Sequence, residues 1–234
     1  MAEAKVQAEL SVAPQVLRMT PLRGRLVTGD ALYCQRTLCR QIRQAHGHYL
    51  WVIKSNQPTL LAEVALLFDR PPPGERFATA SSCRTQRGRR EVRTLTASSA
   101  LASYLPTLGW MGVGQVLRLE SQVTHLGGKQ MGKTTPMVRY FVTSLGPQAS
   151  ARELLRLIRE HWHIENRLHY VRDVTMGEDA SQVRSGTAPE ALAAVRNAVI
   201  GLLRQHGWTN VAQALRHFAW SPGAALRLLG LHPT

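Results

Sequence analysis

The chain has 234 residues, 44% of them hydrophobic, and carries 29 Lys and Arg against 15 Asp and Glu, a formal charge of +14. That apolar content supports a packed core and excludes a disordered chain, and a field this positive attracts polyanions, nucleic acid above all. No basic amphipathic anchor or long apolar run points to a membrane, MAEAKVQAEL lacks the apolar stretch of a signal peptide, and Cys34, Cys39 and Cys83 form no CxxC pair, so a reducing, cytoplasmic setting is expected.

In chain order, PLRGRLVTGDAL (21–32) reads as a Gly turn, a short buried strand at 25–28, and Asp30 just beyond its end. YCQRTLCRQIRQAHG (33–47) has helical spacing and stops at Gly47. HYLWVIK (48–54) has the continuous apolar run of a buried strand, and TLLAEVALLF (59–68) reads as a helix capped by Thr59 and ended by RPPPGE. This β-α-β-α order predicts parallel strands. REVRTLTAS, GQVLRLESQVTHL and PMVRYFVTSL then alternate apolar and polar residues between Gly-rich turns, an antiparallel segment over about 76–145. It is too long for a loop and reads as an insertion. SARELLRLIREHWHIENRLHYVRD follows as one long helix, APEALAAVRNAVIGLLRQHG (188–207) as a second, and two short packing helices end the chain.

The stretch REHWHIENRLHYVRDVTMGED (159–179) concentrates the chemistry. On a helix, Ile158, His161, Trp162, Leu168, His169, Arg172 and Asp173 share a face with Glu165. Three readings are open. The first is an ion pair of Glu165 with Arg172. The second is a zinc site of His161, Glu165 and His169, although no HExxH pattern supports it. The third joins Glu165 to Asp30, which lies at the carboxyl edge of a parallel sheet, where α/β proteins place their sites. Two or three hard oxygen ligands there would hold Mg²⁺ for phosphoryl transfer, with basic residues around them for a phosphate backbone.

HWHIENRLHYVRDVTMGEDASQVRSGTAPEALAAVRNAVIGLL resembles the C-terminal block of bacterial insertion-sequence transposases, in the H-repeat-associated group of the DDE superfamily. GRLVTGDALYCQ, YLWVIKSNQPTLL and GRREVRTL resemble that group's preceding blocks, in order, so the resemblance covers roughly residues 10–230. It implies a ribonuclease-H-like fold and a metal-binding triad of two aspartates and a glutamate. The second aspartate matches Asp30 and the glutamate matches Glu165, with Mg²⁺ (or Mn²⁺) as cofactor. A β-strand insertion before the glutamate helix is known in this branch. Related transposases carry a Tyr-Arg-Glu-Lys signature around the glutamate, whose other slots hold Ile158, His161 and Arg172 here; only the last keeps its charge. DNA contacts are expected from Lys54, Asn56 and Gln57 of KSNQ, from Arg87, Arg89, Arg90 and Arg93 of RGRREVR, and from His161, Asn166 and Arg172. Asp173, Glu178 and Asp179 are expected to support or cap.

The triad's first aspartate should lie well upstream of Asp30, and no aspartate precedes Asp30 in this chain. The expected fold is therefore α/β: an incomplete ribonuclease-H-like core with an antiparallel β insertion and a helical C-terminus, N-terminally truncated and with an exposed sheet edge. The expected division is 1–75 for the C-terminal part of the sheet, 76–147 for the insertion, 148–207 for the glutamate helix and the helix after it, and 208–234 for the terminal helices. The expected function is that of a transposase fragment, whose family reaction is Mg²⁺-dependent DNA strand cleavage and transfer at insertion-sequence ends, inactive alone. The alternative is a non-catalytic DNA-binding remnant or regulator of a full-length transposase. Expected partners are DNA, a second copy or full-length transposase, and no membrane.

Overall fold

In the computed structural model, which describes residues 2–86, 88–164 and 168–231, strand β2 (His48–Ile53) decides what lies on either side of the sheet. Successive side chains of a strand point to opposite faces, and here both faces are apolar. Tyr49, Trp51 and Ile53 pack into one core with α2 (Arg36–Gln44), through Cys39 and Ile42, and with α3 (Pro58–Asp69), through Leu60, Val64 and Leu67. Leu50 and the partly buried Val52 pack into a second core with α4 (Ala151–Ile164), through Leu154, Leu155 and Ile158. Helices α2 and α3 thus cover one face of the sheet and α4 the other, a mixed α/β arrangement.

Six strands form one sheet in the order β1-β2-β6-β5-β4-β3. Strand β1 (Leu26–Gly29) runs parallel to β2, the pairing that the β-α-β order predicts. Strands β4 (Arg89–Ser98), β5 (Gln115–His125) and β6 (Thr134–Thr143) coincide with the three alternating segments. They do not form a layer of their own. Strand β6 pairs antiparallel with β2 from Leu50↔Thr143 to Ile53↔Tyr140, so the antiparallel strands extend the same sheet. Strand β3 (Ala78–Gln86) completes it from ATASSCRTQ, a run too polar and too exposed for hydrophobic periodicity to reveal.

Two elements differ from the sequence expectation, and the N-terminal helix adds one that no sequence reading covered. Helix α1 (Ala2–Met19) forms despite Pro14, whose carbonyl accepts a hydrogen bond from Gln41 Nε2 at 2.7 Å. Helix α3 opens at Pro58, with Gln57 rather than Thr59 at the N-cap position and no side-chain cap bond there; proline's fixed φ suits a first position whose N–H has no helical partner. Of the long helix expected over 150–173, α4 is described to Ile164, and Val171–Thr175 is wound as a π-helical turn. The wider π repeat ends the one-face alignment that a continuous α-helix would give. Cys34 and Cys39 are buried free thiols; burial pushes both up, Cys39 to about 11, so neither carries charge. Among the described residues no helix is long and apolar enough to cross a membrane.

The chain divides into two compact units, Met1–His161 and Trp162–Thr234. In the second, α5 (Ala188–Gln205), α6 (Val211–Trp220) and α7 (Pro222–Leu228) gather around Leu203, Val211 and Ala214. Trp208 and Phe218 pack edge to face there, and Asn210 caps α6 by accepting from the Gln213 N–H at 3.0 Å.

Gly29 closes β1 where no side chain fits: a Cβ there would lie 2.6 Å from the Trp51 ring and 3.1 Å from Tyr33. Gly29→Ala is expected to lower stability by about 1–3 kcal/mol through overpacking, measured by urea denaturation. Gly201→Ala, in the interior of α5 with nothing within 4 Å of the added methyl, should instead stabilise by about 0.4–1 kcal/mol.

Candidate functional site

Parallel pairing brings the carboxyl ends of β1 and β2 to a single edge. Asp30 follows β1 directly, exposed, and caps the 3₁₀ turn Ala31–Tyr33, with Oδ1 accepting from the Leu32 N–H at 3.0 Å. Aspartate suits this position because its short carboxylate satisfies a turn N–H that has no other partner. That bond fixes one oxygen and leaves the second for another ligand.

Lys54 follows β2 at the same edge and is exposed. Asn56 and Gln57 are tied to the turn that follows Asp30. Asn56 Nδ2 donates to the Ala31 carbonyl at 2.6 Å, and Gln57 Nε2 donates to the Cys34 carbonyl at 2.9 Å and to Gln35 Oε1 at 3.2 Å. The turn after Asp30 has left the sheet ladder, and its carbonyls need partners. These two amides provide them.

Helix α4 brings His161 to the end of β1, where its Nδ1 lies 2.9 Å from Thr28 Oγ1, two residues before Asp30. Asp30, Lys54, Asn56, Gln57 and His161 therefore share one edge of the first unit. Glu165, Asn166 and Arg87 lie outside the described residues.

Arg89 and Arg90 are exposed at the start of β4, and Arg93 is half-buried and paired with Glu91 at 2.7 Å. Burial pulls the Arg93 guanidinium below its ordinary range; Glu91 opposes that shift, and Arg159, Arg84 and Arg139 add to it. Arg172 belongs to the second unit. Its Nε donates to Glu178 Oε2 at 2.7 Å and its Nη2 donates to Oε1, a bidentate charge-assisted pair. That hydrogen bonding raises the Arg172 pKa and holds the Glu178 carboxyl below the usual glutamate range. Among the described residues Glu178 is thus the partner of Arg172, six positions along and across a turn that helical spacing does not reach.

Mg²⁺ takes oxygen ligands in octahedral geometry, keeping several waters and one or two carboxylates. Among the described residues no three His, Cys, Asp or Glu side chains cluster. The described donor that suits such an ion is Asp30, a hard, exposed carboxylate with one oxygen uncommitted. His161, a member of the zinc reading, has Nδ1 engaged at Thr28.

The chain matches the model of the transposase DDE domain over residues 3–202. It belongs to that family. The DDE chain is 28% identical over 204 residues to the protein YbfL of Escherichia coli (strain K12), a match covering 85% of this chain and 52% of YbfL. It is 28% identical over 200 residues to "H repeat-associated putative transposase YhhI" of the same strain, covering 83% of this chain and 51% of YhhI. To "Putative transposase YncI" of Escherichia coli O157:H7 it is 29% identical over 202 residues, covering 84% and 50%. These matches bear out the resemblance to DDE transposases of the H-repeat group. The DDE chain spans about half the length of these curated relatives.

Sequence reasoning missed Thr28, which anchors α4 to β1, and it missed Arg84, Arg139 and Arg159, which crowd Arg93. Only the α4 arginines left a trace: Arg152, Arg156 and Arg159 recur at helical spacing.

Asn56→Ala or Gln57→Ala should each cost about 1 kcal/mol and accelerate amide hydrogen exchange at residues 31–35, read by mass spectrometry. In the second unit the Glu178 carboxyl is depressed, so its contribution to stability is present above the ordinary glutamate range and is lost as pH falls through the folded-state value. Melting temperatures compared between about pH 7 and about pH 3 should show a shallower acid loss in Glu178→Gln than in the parent.

Proposed function

We propose that this chain carries the second aspartate and the glutamate of a DDE transposase, and that its family reaction is Mg²⁺-dependent cleavage and transfer of DNA strands at insertion-sequence ends. The observation that carries this reading is the placement of Asp30. It is an exposed carboxylate at the carboxyl edge of two parallel strands, two residues from the point where α4 is tied to β1. Glu165 follows the tied residue, His161, by four positions in the chain. Membership of the DDE family favours the transposase reading over a non-catalytic remnant.

In this proposal Asp30 and Glu165 hold Mg²⁺ or Mn²⁺. The ions, when bound, supply an activated attacking oxygen and stabilise the leaving one. The Leu32 N–H orients the Asp30 carboxylate, while Asn56 and Gln57 fix the turn that carries it. Lys54, Arg89, Arg90 and Arg93 neutralise phosphates, and His161 is held close enough to the edge to contact one. Arg87, Asn166 and Arg172 join the DNA contacts on the strength of the family resemblance. Strands β3 to β6 serve as the insertion of a ribonuclease-H-like core. The protein works in the cytoplasm on DNA, alongside further copies or full-length transposase.

A DDE site takes three carboxylates, and this chain has no aspartate before Asp30. The chain alone is therefore expected to bind Mn²⁺ and DNA without cutting. Electron paramagnetic resonance of free Mn²⁺ tests the site: Asp30→Asn and Glu165→Gln should each weaken binding by about tenfold or more, and Arg40→Ala should not. Affinity indifferent to both carboxylate substitutions overturns the site. Robust Mg²⁺-dependent cutting of a labelled DNA end, abolished by Asp30→Asn, overturns the expected inactivity.

A further inference from the structure

The antiparallel strands outrun β2. The last β2 pairing is Ile53↔Tyr140, yet β6 begins at Thr134, so residues 134–139 and their partners on β5, β4 and β3 project past the strand end that Lys54 follows. On the face that α4 covers, the apolar row through Phe141 is followed in this projection by Leu95 and Leu119 beside Arg139, and then by charged side chains among Ser121, Met137 and Val123. Side chains two apart on a strand share a face. Arg93 therefore lies on the face of Leu95, and Arg139 on the face of Phe141. Glu91 lies two residues beyond Arg93, and Arg84 stands opposite Glu91 on β3.

Helix α4 adds Arg152, Arg156 and Arg159, spaced to share one side of the helix. They line an open cleft of about 590 Å³ against Ser81 and Ser82 of β3. Three carboxylates offset the six arginines: Glu91 pairs with Arg93, Glu160 pairs with Arg156 at 2.6 Å, and Glu153 lines the cleft. The face keeps an excess of positive charge on guanidiniums, which do not deprotonate. Such crowding opposes folding unless a polyanion relieves it.

We propose that this face is a track for the phosphate backbone of duplex DNA, leading to the Asp30 edge and read without regard to sequence; the proposal rests on DNA being the partner of this chain. Arg152 to Arg159 span about 10 Å of helix, and duplex DNA presents a phosphate about every 3.4 Å of axis on each strand. The serine hydroxyls suit phosphate oxygens as neutral donors. A single strand would call for stacking platforms, and none of the described residues lining the cleft is aromatic.

The test is fluorescence anisotropy of the whole chain on labelled duplexes of unrelated sequence, across a range of salt. Arg84, Arg152 and Arg156 are exposed. The triple variant Arg84→Ala, Arg152→Ala, Arg156→Ala should keep its circular-dichroism melt and bind at least about tenfold more weakly to every duplex. Its log affinity against log salt should be shallower by about 2–3, at about 0.9 for each phosphate contact removed. A control triple, Arg23→Ala, Arg40→Ala, Arg70→Ala, removes the same charge from exposed arginines outside α4 and β3–β6, and its slope should change by less than about 1. Equal losses in the two triples would reduce the effect to bulk charge and overturn the track. An unchanged slope in the first triple, with the parent binding duplex, overturns the track and leaves the DNA-binding reading standing. A parent chain that binds no duplex overturns that reading, and the track with it.

Discussion

Strand β2 is buried on both faces and paired on both edges, and each element of the candidate edge takes its position from that constraint. A strand can be apolar on both sides only if helices cover both sides. The covering helices are α2 and α3 on the side of Tyr49, Trp51 and Ile53, and α4 on the side of Leu50. Its edges are equally committed, to β1 by parallel pairing and to β6 by antiparallel pairing. Side chains at the next turn lock the second junction: Thr143 Oγ1 donates to the Tyr49 carbonyl at 2.7 Å, and the Tyr49 N–H donates to Ser144 Oγ at 2.9 Å. Sliding β2 by one residue would exchange its two apolar sets and break both pairings at once.

Much of this was legible because burial writes itself as periodicity. HYLWVI had the short apolar run typical of a buried strand, and the alternation in β4, β5 and β6 announced strands with two unlike faces. Strand β3 escaped because it lies exposed at the sheet edge and is built from small and polar residues, so no buried face imprinted a pattern on it. The position of Asp30 was legible from its place after a strand. The work of Asn56 and Gln57 was not, since their partners lie 25 and 23 residues back in the chain and carbonyl oxygens leave no mark in a sequence. Arg172 shows a different limit. Among the described residues its partner is Glu178, across the π-helical turn at Val171–Thr175, a pairing that helical spacing does not offer; Glu165, which that spacing did offer, lies outside the described residues.

Charge was legible in amount but not in arrangement. A net +14 led to the expectation of a polyanion partner, and the RGRREVR run drew the eye to one strand. In the fold, strand pleat and helix spacing sort the arginines by face. Arg93 of that run joins Arg84, Arg139 and Arg159 from three other elements, whereas Arg118 turns to the opposite face, near Asp69 and the Phe68 ring. A charge run in sequence is thus a poor guide to a charged surface, because neighbours along a strand face apart and neighbours across strands face together.

The amide brackets of Asn56 and Gln57 carry a mechanical consequence. Strand β1 has four residues, and among the described residues it has one strand neighbour, which by itself is a soft mount for the Asp30 carboxylate. The brackets tie the turn after Asp30 to the entrance of α3, whose Leu60, Val64, Leu67 and Phe68 are sunk in the larger core. The carboxylate thereby takes its stiffness from α3 and β2 instead of from the short strand it follows. A shift of α3 along the sheet would be transmitted to Asp30 as a rigid lever would transmit it.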